Sequence, residues 1–228
     1  MMSRAKIGQF RAPHQRGGGI SHDSAITCVS SKLVMVGLHF ETLNRVDFAM
    51  NFCFIGSGTD REQAPLPGIE IAEVATIMRE HYNTMIFGGS TIGLMGDFAR
   101  AFIASGGDVI SVLLHAEGLH SGSAHQIRCD TLAARKQELF RSIDAALCYP
   151  GGLGTMDELF DLLARRANAE IAATVRIFLY NFREYYSPLL VQLDRAHNAG
   201  LINIEAIPQV EIFESSHSLR FLLDSPGH

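Results

Sequence analysis

A short glycine-rich stretch, PGGLGTMDE at 150–158, holds the residues best suited to chemistry. Gly151, Gly152 and Gly154 lack a β-carbon, so the backbone amides of this turn can wrap an anion, with the Thr155 hydroxyl as a further donor. If the turn opens a helix, the helix dipole adds about half a positive charge there, which suits a phosphate. Glu158 follows within one helical turn. The stretch therefore indicates a phosphate site with a carboxylate beside it.

The same stretch also has the pattern of a simple helix start. Thr155 and Glu158 have the spacing of a capping box, in which the threonine caps the helix and the glutamate reaches back to its amide. Such a cap contributes on the order of 1 kcal/mol and requires no ligand. These nine residues alone favour the cap, so another part of the chain has to decide.

A positively charged residue upstream bears on that decision. Arg135 lies 23 residues before Glu158, in a helix predicted over 128–143. Four apolar residues at helical spacing predict the buried stripe of that helix, with Arg135 on its edge: Leu132, Leu139, Phe140 and Ile143.

A guanidinium on a buried edge needs an anionic partner, because an unpaired buried charge is costly. Asp97, Asp130 and Glu158 are the candidate partners, and a structural ion pair and a functional role are both open. Lys136, next to Arg135, reaches either a phosphate or solvent.

The elements that position these residues alternate along the chain. Short apolar runs predict strands at 51–56, 83–89, 107–114, 145–150, 174–180 and 209–214. Amphipathic segments predict helices at 67–81, 92–105, 128–143, 155–168 and 184–199. This alternation predicts an α/β fold, a Rossmann-like doubly wound parallel sheet with helices on both faces.

Ligands of such sheets bind at the carboxyl ends of the strands. Three predicted strands end in glycine-rich turns, FIGSG at 54–58, FGGSTIGLMG at 87–96 and PGGLGT at 150–155. Any tight turn favours glycine, but three at one sheet edge favour a site, which we expect to include Ser57, Gly88 and Gly89. The turns match neither a Walker loop nor GxGxxG, so a nucleoside monophosphate is predicted rather than ATP or NAD.

Composition sets the broad class. The chain has 228 residues, 47% of them apolar, and a net charge of −5 without a basic patch, which argues against nucleic acid as a partner. Its four cysteines form no CxxC pair, and no apolar run has the length needed to span a membrane. We expect a cytoplasmic protein with one catalytic domain at 51–228. Residues 1–50 are predicted to be a partly flexible extension, with a strand or hairpin at 26–41.

Weaker candidates are assigned structural roles. A polar surface loop is preferred over a metal site for His115, His120 and His125. A solvated helix face is predicted for Asp157, Asp161 and Arg165. Packing is predicted for Tyr185 and Tyr186. We therefore predict no metal site.

The combination of PGGLGTMDE with CDTLAARK and FGGSTIGLMG resembles the LONELY GUY (LOG) family, the cytokinin riboside 5′-monophosphate phosphoribohydrolases formerly labelled lysine decarboxylases. The resemblance covers roughly residues 51–223. It is carried by two glycine turns with an Arg-Lys pair on the helix between them. No lysine lies in a context that fits pyridoxal phosphate, so the older label is set aside and no cofactor is expected.

The resemblance implies roles for the residues already singled out. Arg135 and Glu158 would be the catalytic pair, and substrate would be held by Lys136, Gly151, Gly152, Gly154 and Thr155. The reaction would hydrolyse the N-glycosidic bond of a purine ribonucleoside 5′-monophosphate, giving free base and ribose 5-phosphate. A homodimer or larger homo-oligomer is also implied.

The sequence differs from the family mainly at the base-binding end. Ala164 and Arg165 stand where plant members have a substrate-contacting threonine and a tryptophan, and Ser90 replaces the third glycine of the first motif. The alternative function is a non-hydrolytic binding protein for a phosphorylated ligand, like the molybdenum-cofactor carriers that share this type of fold.

Overall fold

The computed structural model describes residues 50–60, 62, 66–115, 125–202 and 210–225. The predicted extension at 1–50, apart from Met50, and its predicted strand or hairpin at 26–41 lie outside the described residues.

The described strands form one parallel sheet in the order β4-β3-β2-β1-β5-β6-β7. Their bounds are β1 Asn51–Ile55, β2 Thr84–Phe87, β3 Asp108–Leu114, β4 His125–Cys129, β5 Ala145–Cys148, β6 Arg176–Tyr180 and β7 Val210–Phe213. The central strands are buried and read as continuous apolar runs, as expected when both faces of a parallel sheet are covered.

Helices cover both faces of this sheet. Their bounds are α1 Ala72–His81, α2 Gly93–Ala104, α3 Leu132–Leu139, α4 Leu153–Ala167, α5 Ser187–Asn198 and α6 Ser216–Asp224. One core contains side chains from α1, α2 and α6, with a group of contacting aromatic rings around Phe98. The other core lies on the opposite face, against α3, α4 and α5. The predicted doubly wound α/β fold is confirmed.

The strand order reverses beside β1. From β1 the chain builds outward through β2 and β3 to β4, and α3 then returns it to β5 on the other side of β1. The loops after β1 and β5 therefore diverge to opposite faces and leave a crevice at the carboxyl edge. Such a switch point is where open α/β sheets bind ligands.

The structure corrects several details of the predicted elements. The helix predicted over 128–143 is shorter, because 125–129 pairs with β3 as strand β4 and the helix begins only after the cap at Thr131. The Thr131 side-chain oxygen accepts a hydrogen bond from Ala134 N at 3.1 Å. Leu132 is 58% exposed at the carboxyl edge of the sheet, so its place in the predicted buried stripe was wrong, whereas Leu139, Phe140 and Ile143 are buried.

Three described elements were not predicted: strand β4, the 3-10 helix Phe182–Glu184 and helix α6. The sequence HQIRC of β4 is largely polar and exposed, which hides an edge strand from a search for apolar runs. Helix α6 begins with a capping box at Ser215 and Ser218. Within the described ranges, no helix has the length and apolar character needed to cross a membrane.

Candidate active site

Arg135 joins the two halves of the sheet at the switch point. Its Nε donates to Val112 O on β3 at 3.0 Å, and its Nη2 donates to Gly88 O after β2 at 3.1 Å. The same Nη2 lies 3.9 Å from Glu158 Oε1 on α4. Both side chains are nearly buried, 14% and 10% exposed. Of the partners that the sequence left open, Asp97 engages Arg100 and Asp130 lies near His115, while Glu158 is the carboxylate beside Arg135.

The glycines after β2 make room for this guanidinium. A β-carbon on Gly88 would lie 2.1 Å from Arg135 Nη2, far inside van der Waals contact. Gly89 has φ of +80°, a left-handed conformation that favours glycine, and a β-carbon there would lie 2.2 Å from Leu113 Cδ2. The predicted site residues Gly88 and Gly89 thus act first by letting Arg135 and the backbone approach closely.

The carboxylate of Glu158 is largely shielded from solvent, and its cationic partner Arg135 is too far away for a hydrogen bond. Burial is the main cause that raises its pKa to about 7; nearby Arg135 opposes this increase, Asp157 adds to it, and Lys136 also opposes it. At an effective dielectric constant of about 20, opposite charges at such a distance attract by about 4 kcal/mol. Because the pKa is raised even so, desolvation outweighs the attraction of Arg135.

Glu158 lies over the central strand pair. Its charge is the second cause, after burial, that raises the pKa of the Cys148 thiol at the end of β5, and it also raises that of Cys53 on β1. The carboxylate therefore lies close to β1 and β5, on the face of the sheet that α4 covers.

The turn 150–155 differs from the predicted capping box. Helix α4 begins at Leu153 with Gly152 as its N-cap, and no side chain caps it. Thr155 is the third residue of the helix, 5% exposed, and packs against Gly151, where a β-carbon would lie 2.0 Å from its Oγ1. The capping box was wrong because the glycines let the helix start earlier, with its N-cap at Gly152, three residues before Thr155.

This earlier start leaves donors available at the crevice. The first amides of any α-helix have no partner within it, and here they belong to the glycine-rich segment that follows β5. A β-carbon added to Gly152 or Gly154 would contact nothing within 4 Å, so both glycines border open space. The turn offers an anion direct access to backbone N–H groups.

Lys136 has carboxylate partners on α4. Its Nζ donates to Asp157 Oδ1 at 3.0 Å and lies 3.8 Å from Asp161 Oδ1. Asp161 also accepts from Arg165 Nε at 2.8 Å. The predicted solvated face was therefore partly wrong: Asp157 is 59% exposed, but Asp161 and Arg165 are only 24% exposed, and these residues join α3 to α4.

Ser57 lies in the loop after β1 and supports the adjacent turn. Its Oγ accepts from Thr59 N at 3.1 Å, and its carbonyl accepts from Met95 N in the first turn of α2 at 3.0 Å. Gly93, with φ of +67°, is needed where this loop passes, because a β-carbon there would lie 2.8 Å from Ser57 O. The loop after β1 and the turn after β2 are thereby fixed to each other.

The weaker candidates have mixed outcomes. His115 Nε2 lies 3.5 Å from Asp130 Oδ1, whereas His120 falls outside the described residues. Within the described part of the chain, no three histidine, cysteine or acidic side chains are grouped as metal ligands. Tyr186 is fully buried, as predicted, but Tyr185 is 41% exposed, and its hydroxyl donates to Gly151 O at 2.5 Å, a contact that the sequence did not suggest.

Fold and site together define a Rossmann-like α/β protein with an arginine–glutamate pair and a glycine-rich helix start at its switch point. Residues 95–220, more than half of the chain, match the family model described as possible lysine decarboxylase. The chain belongs to this family, which is the LOG family of the sequence resemblance.

Curated relatives carry the phosphoribohydrolase name. A cytokinin riboside 5′-monophosphate phosphoribohydrolase of Rhodococcoides fascians is 32% identical over 52% of this chain and 61% of its own length. A probable enzyme of the same name from Oryza sativa subsp. japonica, LOGL5, is 30% identical over 52% of this chain and 49% of its own length. Arabidopsis thaliana LOG2 is 28% identical over 73% of this chain and 77% of its own length. For the first two, the chain thus spans about half to three-fifths of the relative.

Solved structures share the fold at low identity. TM1055, a structural-genomics target, superposes with a TM-score of 0.56 at 15% identity, over 77% of this chain and 98% of its own. The molybdenum cofactor carrier protein of Chlamydomonas reinhardtii superposes with a TM-score of 0.53 at 15% identity, over 76% and 95%. At this identity the likeness supports the Rossmann-like fold.

The raised pKa of Glu158 predicts how stability depends on pH. Between pH 4.5 and about 7 the folded carboxyl holds its proton while the unfolded one releases it, so the free energy of unfolding falls as pH rises. The full effect is on the order of 3 kcal/mol. Glu158→Gln should remove this part of the slope and be more stable than wild type at pH 8. Urea denaturation at several pH values measures it.

Glu73→Gln, at an exposed position on α1, is the matched control and should keep the wild-type slope. If Glu158→Gln and wild type lose stability in parallel as pH rises, the carboxylate is not desolvated as described.

Proposed function

We propose that the protein hydrolyses the N-glycosidic bond of purine ribonucleoside 5′-monophosphates, AMP or its N6-substituted cytokinin forms, to free base and ribose 5-phosphate. The observation that carries this proposal is the buried Glu158 beside Arg135, next to the open amides of α4. The names of the family relatives support it.

In this reaction the turn after β5 binds the phosphate. The amides of Gly152, Leu153 and Gly154 face a dianion that the α4 dipole also stabilises. The phosphate is remote from the bond that breaks, so its binding energy can be used to hold the ribose in the reactive position.

The carboxylate then acts on the sugar. Cleavage passes through a state with positive charge at the anomeric carbon, which a nearby carboxylate stabilises. Water adds to that carbon, the bond to the base nitrogen breaks with its electron pair going to the base, and Glu158 accepts a proton of the water. That proton then passes to the nitrogen of the released base, directly or through solvent, which gives the neutral base and restores the carboxylate. Arg135 orients the Glu158 carboxylate and contacts ribose or phosphate. Lys136, which is paired with Asp157 on α4, is a second positively charged residue that binds the substrate.

Release of base tests this function. Purified protein is incubated with AMP and with isopentenyl-AMP, and free base is quantified by chromatography. Glu158→Gln should lower kcat/KM by about 100- to 10,000-fold, and wild-type kcat/KM should rise as pH passes through about 7 because the carboxylate form is needed. The ratio of kcat/KM for the two substrates shows which base is preferred by a base-binding end that contains Ala164 and Arg165.

Glu73→Gln is again the control and should keep wild-type activity. Folded wild-type protein that releases base from neither nucleotide would contradict the proposal. A phosphorylated ligand that copurifies and stays intact on incubation would instead favour the alternative, a non-hydrolytic binding protein.

We infer further that two chains associate through α4. Leu153 is 90% exposed and Phe160 46%, and their spacing of seven residues, about two helical turns, places both on the same exposed side of α4. Large exposed apolar side chains grouped on one helix are typical of protein–protein contacts. A second copy fits because the family resemblance implies a homodimer.

Sedimentation equilibrium should therefore give twice the chain mass of 25.0 kDa. Phe160→Asp should shift the protein toward the mass of a single chain. Phe221→Asp is the matched control, because Phe221 on α6 is 71% exposed on the other side of the sheet, and this variant should stay dimeric. A wild-type protein that sediments as one chain at all concentrations would contradict the inference.

A further inference from the structure

Two neighbouring tyrosines end on the backbone of the glycine turn after β5. The Tyr185 hydroxyl donates to Gly151 O at 2.5 Å, and the Tyr186 hydroxyl donates to Tyr149 O at 2.6 Å. Their rings meet edge to face, with centroids 4.9 Å apart. One dipeptide thus holds carbonyls on both sides of Pro150.

The backbone before these tyrosines is strained and well anchored. The 3-10 turn Phe182–Glu184 contains two successive non-glycine residues with positive φ, Arg183 at 50° and Glu184 at 61°. Such conformations persist only where the surroundings enforce them, and they cluster at functional sites. The side chain of Asn181, itself buried, accepts from Tyr186 N at 2.8 Å and fixes where the pair emerges.

The hydrogen bond to Gly151 controls the direction of an amide in the proposed phosphate site. A peptide unit is planar and trans, so its C=O and N–H point in opposite directions. The carbonyl of Gly151 and the N–H of Gly152 belong to one such unit. When Tyr185 holds the carbonyl on its own side, the Gly152 N–H points away from the tyrosine. Both residues are glycines, so little else restricts this rotation.

We propose that Tyr185 is a positioning residue that orients the Gly152 amide toward the substrate phosphate. The proposal rests on the proposed function only in taking the turn after β5 as the phosphate site. Tyr185 touches the Gly151 carbonyl and acts through the backbone, so its effect falls on phosphate binding.

Tyr186 provides a contrast within the same turn. Its hydroxyl holds the Tyr149 carbonyl, whose peptide unit continues into Pro150, a residue without an N–H. Orienting that unit therefore presents no donor to a ligand. Tyr186 is fully buried, and its hydrogen bond stabilises the fold.

The test uses the full chain and ribose 5-phosphate as the probe, with calorimetric titration of wild type, Tyr185→Phe and Tyr186→Phe. Tyr185→Phe keeps the ring and should raise Kd about fivefold to tenfold, because one donor is no longer held in place. Its melting temperature should stay within about 2 °C of wild type, since the lost bond is half-exposed. Tyr186→Phe should lower the melting temperature by about 4 °C or more and leave Kd unchanged.

Three outcomes would overturn the proposal. They are an unchanged Kd in Tyr185→Phe, a raised Kd accompanied by a large fall in its melting temperature, and a wild type that does not bind ribose 5-phosphate. Base release from AMP is measured on the same samples. A Kd shift without base release from wild type would refute the proposed hydrolysis and leave the positioning role of Tyr185 supported.

Discussion

The guanidinium of Arg135 is the group on which the arrangement of the site depends. It binds carbonyls of β3 and of the turn after β2, and it lies beside the carboxylate of α4 on the other side of β1. It therefore connects the two halves of the sheet where the strand order reverses. Position 88 requires glycine, because a β-carbon there would collide with the guanidinium of Arg135. Backbone, cation and carboxylate are thus specified together.

That arrangement leaves Glu158 under-compensated. Its nearest cation shares its hydrogen bonds with two carbonyls and stays 3.9 Å away, so burial prevails and the pKa of the carboxyl rises. A close, hydrogen-bonded ion pair would fix the carboxylate in place and balance its charge. A carboxylate with one incomplete partner is instead ready to interact with positive charge on a ligand, which is the charge that develops during N-glycoside cleavage. Glu158 lies in the second turn of the same helix whose first amides have no side-chain cap, and those amides complement a negatively charged group.

The sequence predicted the parts of this structure that follow from local patterns. Alternating apolar runs predicted β1, β2, β3, β5, β6 and β7, and the distance from Arg135 to Glu158 directed attention to the pair that the structure brings together. It missed β4, whose residues are polar and exposed because only one side of this edge strand is paired within the described residues. The nine residues of the glycine turn, taken alone, favoured Thr155 as a cap, since spacing alone does not show where glycines allow a helix to begin.

The contacts of Tyr185 and Lys136 lay beyond sequence reasoning for a different reason. Each joins elements distant along the chain, and only the packed fold determines that a hydroxyl meets Gly151 or that a lysine meets Asp157. Long-range polar contacts of this kind leave no periodic signal. They also attach the glycine turn to the segment that follows β6 and connect α3 with α4.

A crystal structure with ribose 5-phosphate bound tests the central claim most directly. The account predicts the phosphate at the start of α4, within hydrogen-bonding distance of the Gly152 and Gly154 amides, and the ribose hydroxyls against Glu158 beside Arg135. A phosphate bound away from the turn after β5, or a sugar without contact to Glu158, would contradict it.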